Sequence, residues 1–115
     1  MLVEISEAEL IDKITILEIK MEKIKNKDRL VNVQNELEIL KKLEFDTHLK
    51  RDLKQINDLI WEVEDRLRIL ENHKKFDTEF ITKARMVYIL NDIRADIKKT
   101  INVERQSNII EEKSY

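Results

Sequence analysis

The chain contains no glycine and no proline, and this absence constrains its fold more than any residue that is present. Hairpins and β-sandwiches need tight turns, which usually recruit one of these two residues. A sequence of 115 residues without either is therefore expected to be helical. Phosphate-binding glycine loops, dinucleotide fingerprints and nucleophile elbows are excluded as well, because each needs a backbone conformation that only glycine tolerates.

Cysteine is also absent, which excludes disulfides, a thiolate nucleophile and sulfur-bound zinc, and favours a reducing compartment. The 22 basic and 24 acidic residues are interspersed, so no basic face for DNA is expected. No apolar run approaches the length of about eighteen residues that a membrane span needs. These features predict a cytoplasmic protein with no DNA partner, no membrane segment and one domain covering residues 1–115.

Apolar residues recur at spacings of three and four, which is the period of one helix face. Ser6 is expected to cap the first helix, with the Glu9 carboxylate reaching back to it. Asn26 is expected to end that helix in a left-handed conformation, Asp28 to cap the second and Asp77 the fourth. The predicted fold is all-α, an antiparallel bundle of two helical hairpins with short extended termini. The predicted helices cover about 7–25, 29–44, 47–72 and 78–102.

The fourth predicted helix carries two apolar stripes, one through Leu90 and Ile97 and the other through Val87 and Tyr88. Two stripes indicate neighbours on two sides. Either this helix is the central one, or one stripe is a subunit interface. Long, narrow helices also leave stripe edges uncovered, and a two-fold dimer would cover them. A homodimer is therefore predicted.

The third predicted helix presents Asn57, Trp61, Glu64 and Arg68 on one face, because they are spaced by four, three and four. One interpretation is a binding pocket with an aromatic floor, a carboxylate and a guanidinium. The other is a surface ion pair between Glu64 and Arg68 that shields the only tryptophan.

The fourth helix adds Tyr88, Asn91, Asp92 and Arg94 to the predicted site. Asn91 lies within an apolar stripe, and a buried amide needs hydrogen-bond partners. It either fixes the register of the bundle or contacts a ligand. If Asn91 faces Trp61, the polar residues of both helices form one site for a protein or a small polar ligand.

The predicted function is thus a non-enzymatic binding or scaffold module with no cofactor, no metal and no catalytic residue. The alternative is a small metal-dependent hydrolase or transferase, because the carboxylate pairs Glu18/Glu22 and Asp92/Asp96 have spacings that suit a divalent cation. With 24 acidic residues, however, such pairs are expected on nearly every helix.

The tail at 107–115 loses the helical period. Its last residues, Lys113, Ser114 and Tyr115, either stay free or dock in a groove through the terminal carboxylate and the tyrosine ring.

Four segments carry a resemblance over nearly the whole chain: LVEISEAELIDKITILEIK, NDLIWEVEDRLR, FITKARMVYILNDIRADIKKTIN and IIEEKSY. Together they resemble a family of small uncharacterised all-helical proteins from bacteria and their phages, and the EEKSY ending is the most specific part. The family implies no activity. It implies that polar residues of the first, third and fourth helices, among them Asp12 and Lys98, form one surface. Members often have Pro and Gly after the serine, where this chain has Glu7 and Ala8.

Overall fold

The computed structural model of the protein describes residues 5–105. This part of the chain forms four helices and no strand, which confirms the predicted all-α bundle. The predicted extended termini and the tail at 107–115 lie outside the described residues. None of the described helices is both long enough and apolar enough to cross a membrane. The helices are α1 (Glu7–Lys23), α2 (Lys27–Lys41), α3 (Lys50–Asn72) and α4 (Thr78–Arg105).

The cap predicted for α1 is confirmed, because the Ser6 side chain accepts a hydrogen bond from the Glu9 backbone N–H at 3.4 Å.

The role predicted for Asn26 is wrong. Asn26 has an extended backbone with φ of −71°, and its side chain caps α2 by accepting from the Arg29 N–H at 3.1 Å. The helix starts at Lys27, two residues earlier than predicted, because Asn26 takes the N-cap position that is predicted for Asp28.

The end of α3 uses a left-handed residue, although the chain has no glycine to place there. Lys74 has a φ of 53°, and its N–H donates to the Glu71 carbonyl at 3.0 Å. The Lys75 N–H donates to the Leu70 carbonyl at 2.9 Å. These two bonds form a Schellman motif, which satisfies carbonyls that the helix itself leaves free.

Three other boundaries differ from the prediction by three residues each, and the end of α1 differs by two. α1 ends at Lys23 rather than at 25, and α2 ends at Lys41 rather than at 44. α3 begins at Lys50 because residues before it form a turn, in which the Thr47 hydroxyl accepts from the Leu49 N–H at 3.2 Å. The predicted Asp77 cap of α4 is confirmed by a hydrogen bond from the Phe80 N–H at 3.2 Å. α4 continues to Arg105 rather than ending at 102.

The central helix is α1, and not α4 as one of the predicted alternatives had it. α1 packs against each of the other three helices, whereas α4 packs against α1 and α3. Its sequence explains this position, since apolar side chains lie on more than half of the circumference of α1. The core cluster combines α1 with one residue each of α3 and α4: Ala8, Ile11, Leu53 and Ile101.

The second helix is attached on one side only. α2 packs against α1, as the predicted first hairpin requires, and no described residue of α2 is buried. Three of the apolar side chains on and just after it stay more than half exposed: Val31, Ile39 and Leu43. The candidate binding site therefore lies between the other three helices, α1, α3 and α4.

Candidate binding site between three helices

A carboxylate lies inside the bundle where α1, α3 and α4 meet. Asp12 of α1 is only 3% exposed. Arg94 of α4 donates from Nε to its Oδ1 at 3.0 Å and from its second terminal nitrogen to Oδ2. Asn57 of α3 donates from Nδ2 to Oδ1 at 2.9 Å. One buried side chain of α1 is thus bonded to both neighbouring helices.

The polar cluster extends along both sides of Asp12. The Asn57 amide also donates to the Thr15 hydroxyl at 2.9 Å, and that hydroxyl donates to the Asp12 carbonyl at 2.8 Å. The buried ammonium of Lys98 lies 3.8 Å from Asp12 Oδ2 and 2.5 Å from a carboxylate oxygen of Glu9. Glu9 therefore pairs with α4 instead of reaching back to the α1 cap. Among residues 5–105, two cations of this cluster face two carboxylates, so their charges balance.

Burial by itself raises the pKa of Asp12, because a low-dielectric surrounding disfavours the charged carboxylate. Hydrogen bonds from Arg94 and Asn57 and the charges of Arg94 and Lys98 favour the charged form more strongly. The net result is that the pKa of Asp12 lies below its usual value. The carboxylate is therefore ionised at neutral pH.

A partly open hollow of about 210 Å³ lies beside this cluster, bounded by the same three helices. Five of the eight ligand-binding residues predicted on the third and fourth helices line it: Asn57, Trp61, Glu64, Asn91 and Arg94. Isoleucines supply the apolar part of the wall: Ile16, Ile19 and Ile60. Trp61 and Asn91 thus border one cavity, as the prediction of a combined site required.

Three predicted site residues do not line this hollow. Tyr88 is 55% exposed on the outer side of α4, and Asp92 is half-buried outside the lining. Arg68 is exposed and forms no ion pair with Glu64 within residues 5–105. The alternative of a Glu64–Arg68 surface pair is therefore not what the structure shows. The tail residues Lys113, Ser114 and Tyr115 lie outside the described residues.

Only some of the polar side chains that line the hollow have hydrogen-bond partners among residues 5–105. Asn91 donates to the Val87 carbonyl at 3.0 Å, and its Oδ1 lies 3.4 Å from a terminal nitrogen of Arg94. Arg94 in turn is held by Asp12. The Glu64 carboxylate is half-buried and has no hydrogen bond or ion pair with any residue between 5 and 105. It is therefore the charged group of this hollow that has no partner among residues 5–105.

One of the two carboxylate pairs predicted as possible metal ligands, Glu18 and Glu22, forms ion pairs with lysines. Glu18 lies 3.2 Å from the ammonium of Lys50 and 3.4 Å from that of Lys41, while Glu22 lies 3.0 Å from Lys54. Burial raises the pKa of Glu18, but the hydrogen bond and charge of Lys50 outweigh it, so the net pKa is lowered. Across residues 5–105, no group of three or more His, Cys, Asp or Glu side chains is placed to hold a metal ion.

Residue-by-residue reasoning missed the residues on which the site rests: Asp12, Thr15 and Lys98. A signal for the first two exists, because helical spacing places Asp12 and Thr15 on the same face of α1 as the apolar Ile19, where a polar side chain is expected to be buried. The family resemblance also included Asp12 and Lys98. No local pattern, however, identifies Arg94 as the partner of Asp12.

The class of protein that fold and site define is an all-α bundle with a charge-balanced polar cluster in its core and a small hollow beside it. The chain belongs to a family of unknown function, DUF6165, whose match covers residues 1–115. The predicted resemblance to an uncharacterised family is thus confirmed at that level, while the bacterial and phage origin and the EEKSY ending remain predictions. No curated protein and no solved structure matches the chain.

Proposed function

We propose that this protein is a binding module without enzymatic activity and that the hollow between α1, α3 and α4 is its ligand site. The observation that carries the proposal is the Glu64 carboxylate, which faces the hollow without a partner among residues 5–105, next to the half-buried ring of Trp61. Convergent polar groups in a mostly apolar cavity are the usual composition of a small-molecule site.

The charges of the wall favour a cationic ligand. Arg94 borders the hollow, but its charge is matched by Asp12, which leaves Glu64 as the unmatched charge. The Asn57 amide nitrogen is committed to Asp12 and Thr15, so its oxygen remains as an acceptor. An ammonium group would satisfy both acceptors, and the Trp61 face attracts cations as well.

The shape of the wall favours a small ligand with an apolar part. The volume of about 210 Å³ is below the range of roughly 300–1,000 Å³ that is typical of sites for drug-sized molecules. Isoleucine side chains from α1 and α3 would cover the body of the ligand. We therefore propose a small organic amine as the ligand class.

The polar cluster would hold the site ready for binding. Asn57 and Arg94 line the hollow and are both fixed by hydrogen bonds to Asp12. Side chains that are already ordered lose little conformational entropy when a ligand binds. The cluster therefore has a positioning role in this proposal, while Glu64 and Trp61 contact the ligand.

Fluorescence of Trp61, the only tryptophan, tests the proposal directly. The protein would be titrated with 2-phenylethylamine and, separately, with the neutral alcohol 2-phenylethanol. We expect a saturable change of Trp61 emission with the amine, at least a tenfold weaker response with the alcohol, and a rise in melting temperature with the amine by mass action.

The Glu64→Gln variant supplies the decisive comparison, because it keeps the shape of the side chain and removes the charge. We expect it to lose amine binding and to retain the fold. Glu71→Gln is the matched control, since Glu71 is exposed on the same helix away from the hollow. An amine that leaves Trp61 emission unchanged, or that binds Glu64→Gln as well as the original protein, would refute the proposal.

A further inference from the structure

The outer face of α4 combines exposed apolar side chains with charges that have no partner in residues 5–105. Ile81, Tyr88 and Ile89 are 56%, 55% and 47% exposed. Their spacing by seven and eight residues places them on one side of the helix. Arg85 and Asp92 lie on the same side, and neither forms an ion pair with another described residue.

This face points away from the core of the bundle. The buried residues of α4 follow a separate row on the opposite side: Leu90, Lys98, Ile101 and Asn102. Asn91 and Arg94, which line the hollow, also lie toward that inner side. The outer face is therefore available to a partner without disturbing the hollow.

The charges on the outer face are self-complementary. Arg85 lies three residues before Tyr88, and Asp92 lies three residues after Ile89. If two copies of α4 pack antiparallel about a two-fold axis between residues 88 and 89, each Arg85 meets Asp92 of the second copy. The same axis places each Tyr88 against Ile89 of the second copy. An isologous contact of this kind is what a two-fold dimer requires.

We propose that the protein forms a homodimer through the outer face of α4, with the two helices antiparallel and Arg85 paired with Asp92 of the second copy. The pairing would cover apolar side chains that are now exposed. At each end of the contact it would also form one ion pair between Arg85 and Asp92 of the other copy. It stands independently of the proposed ligand site, because it uses the opposite side of α4.

The contact is small. The stretch from Ile81 to Asp96 is about 22 Å long at 1.5 Å per residue, so the buried area falls below that of standard stable interfaces. We therefore expect a dimer that dissociates on dilution. Its charge pairs would set the register, while the apolar side chains would supply most of the affinity.

Sedimentation velocity over a wide range of protein concentrations tests this interface. The original chain should shift from a mass of 13.9 kDa toward twice that value as concentration rises. Arg85→Asp and Asp92→Arg should each remain monomeric over the same range, because each places like charges opposite one another. The double variant Arg85→Asp with Asp92→Arg should dimerise again, since it restores both pairs in exchanged positions.

Two further variants separate loss of the contact from loss of the fold. Ile89→Lys should abolish the dimer while retaining the thermal unfolding curve, because the side chain is 47% exposed. Arg29→Asp, an exposed charge reversal on α2, should leave the dimer intact. A chain that is monomeric at every concentration would overturn the proposal. So would a dimer that resists both single reversals, or a double variant that stays monomeric.

Discussion

Arg94 donates two hydrogen bonds to the carboxylate of Asp12, although the two residues are 82 positions apart in the chain. The pair joins the central helix α1 to α4. A hydrogen bond from Asn57 of α3 to the same carboxylate joins the third helix to them. Because Asp12 is 3% exposed, removing its charge would leave Arg94 and Lys98 without the buried carboxylate that both of them face. The Asp12 carboxylate therefore links α1, α3 and α4 inside the bundle.

Replacing Asp12 with alanine is expected to lower the free energy of unfolding by about 3–5 kcal/mol, because Arg94 and Lys98 would lose the buried carboxylate that both of them face. Urea unfolding followed by circular dichroism measures the loss. Asp65→Ala is the control, since Asp65 is exposed on α3, and it should change the free energy by less than about 0.5 kcal/mol. Equal effects of the two substitutions would contradict the assigned role of Asp12.

The lowered pKa of Asp12 predicts a specific dependence of stability on acid. A carboxyl group whose pKa is lower in the folded state stabilises the fold above its unfolded pKa, which is about 3.9 for aspartate. This contribution is lost as the pH falls through the folded pKa. The difference in unfolding free energy between the original chain and Asp12→Asn should be constant above about pH 5 and shrink below about pH 4. A difference that is independent of pH would argue against a depressed pKa.

Lys74→Gly is expected to stabilise the protein by about 1 kcal/mol, because glycine adopts the left-handed backbone at the end of α3 without the steric cost that lysine bears. Thermal and urea unfolding would both report the gain. Lys75→Gly is the matched control at the next residue, which is not in the left-handed region, and should be neutral or destabilising. If both variants were destabilised alike, Lys74 would not occupy that conformation.

Amide hydrogen exchange should be fastest, among the four helices, in α2. This helix buries no described residue and contacts only α1, so its opening exposes little apolar surface. α1 should exchange slowest, because it packs against all three other helices. Mass spectrometry of peptides after timed exchange would measure the order. Protection of α2 equal to that of α1 would show that a further surface covers it, such as a second copy.

The candidate site was predictable only where it follows from the period of a helix. Asn57, Trp61 and Glu64 are spaced by four and three, which places them on one face of any α-helix. The hollow lies on that face of α3. Tyr88 shares a helix face with Asn91 at a spacing of three, and Asp92 follows Asn91 in the chain, so the sequence predicts all three in the site. In the structure Tyr88 and Asp92 lie outside the lining of the hollow, because the packing of α4 against α1 and α3 decides which part of the helix surface turns inward.

The sequence by itself determined that residues 5–105 are helical, that they form four helices, and where α1 and α4 begin. The reason is that apolar spacing, capping side chains and the lack of glycine and proline act over a few neighbouring residues. Only the tertiary structure decided that α1 is central, that Asp12 is buried and that Arg94 and Lys98 face it. Those outcomes depend on how entire helices pack against one another, and a hydrogen bond between residues 82 positions apart leaves no local pattern in the chain.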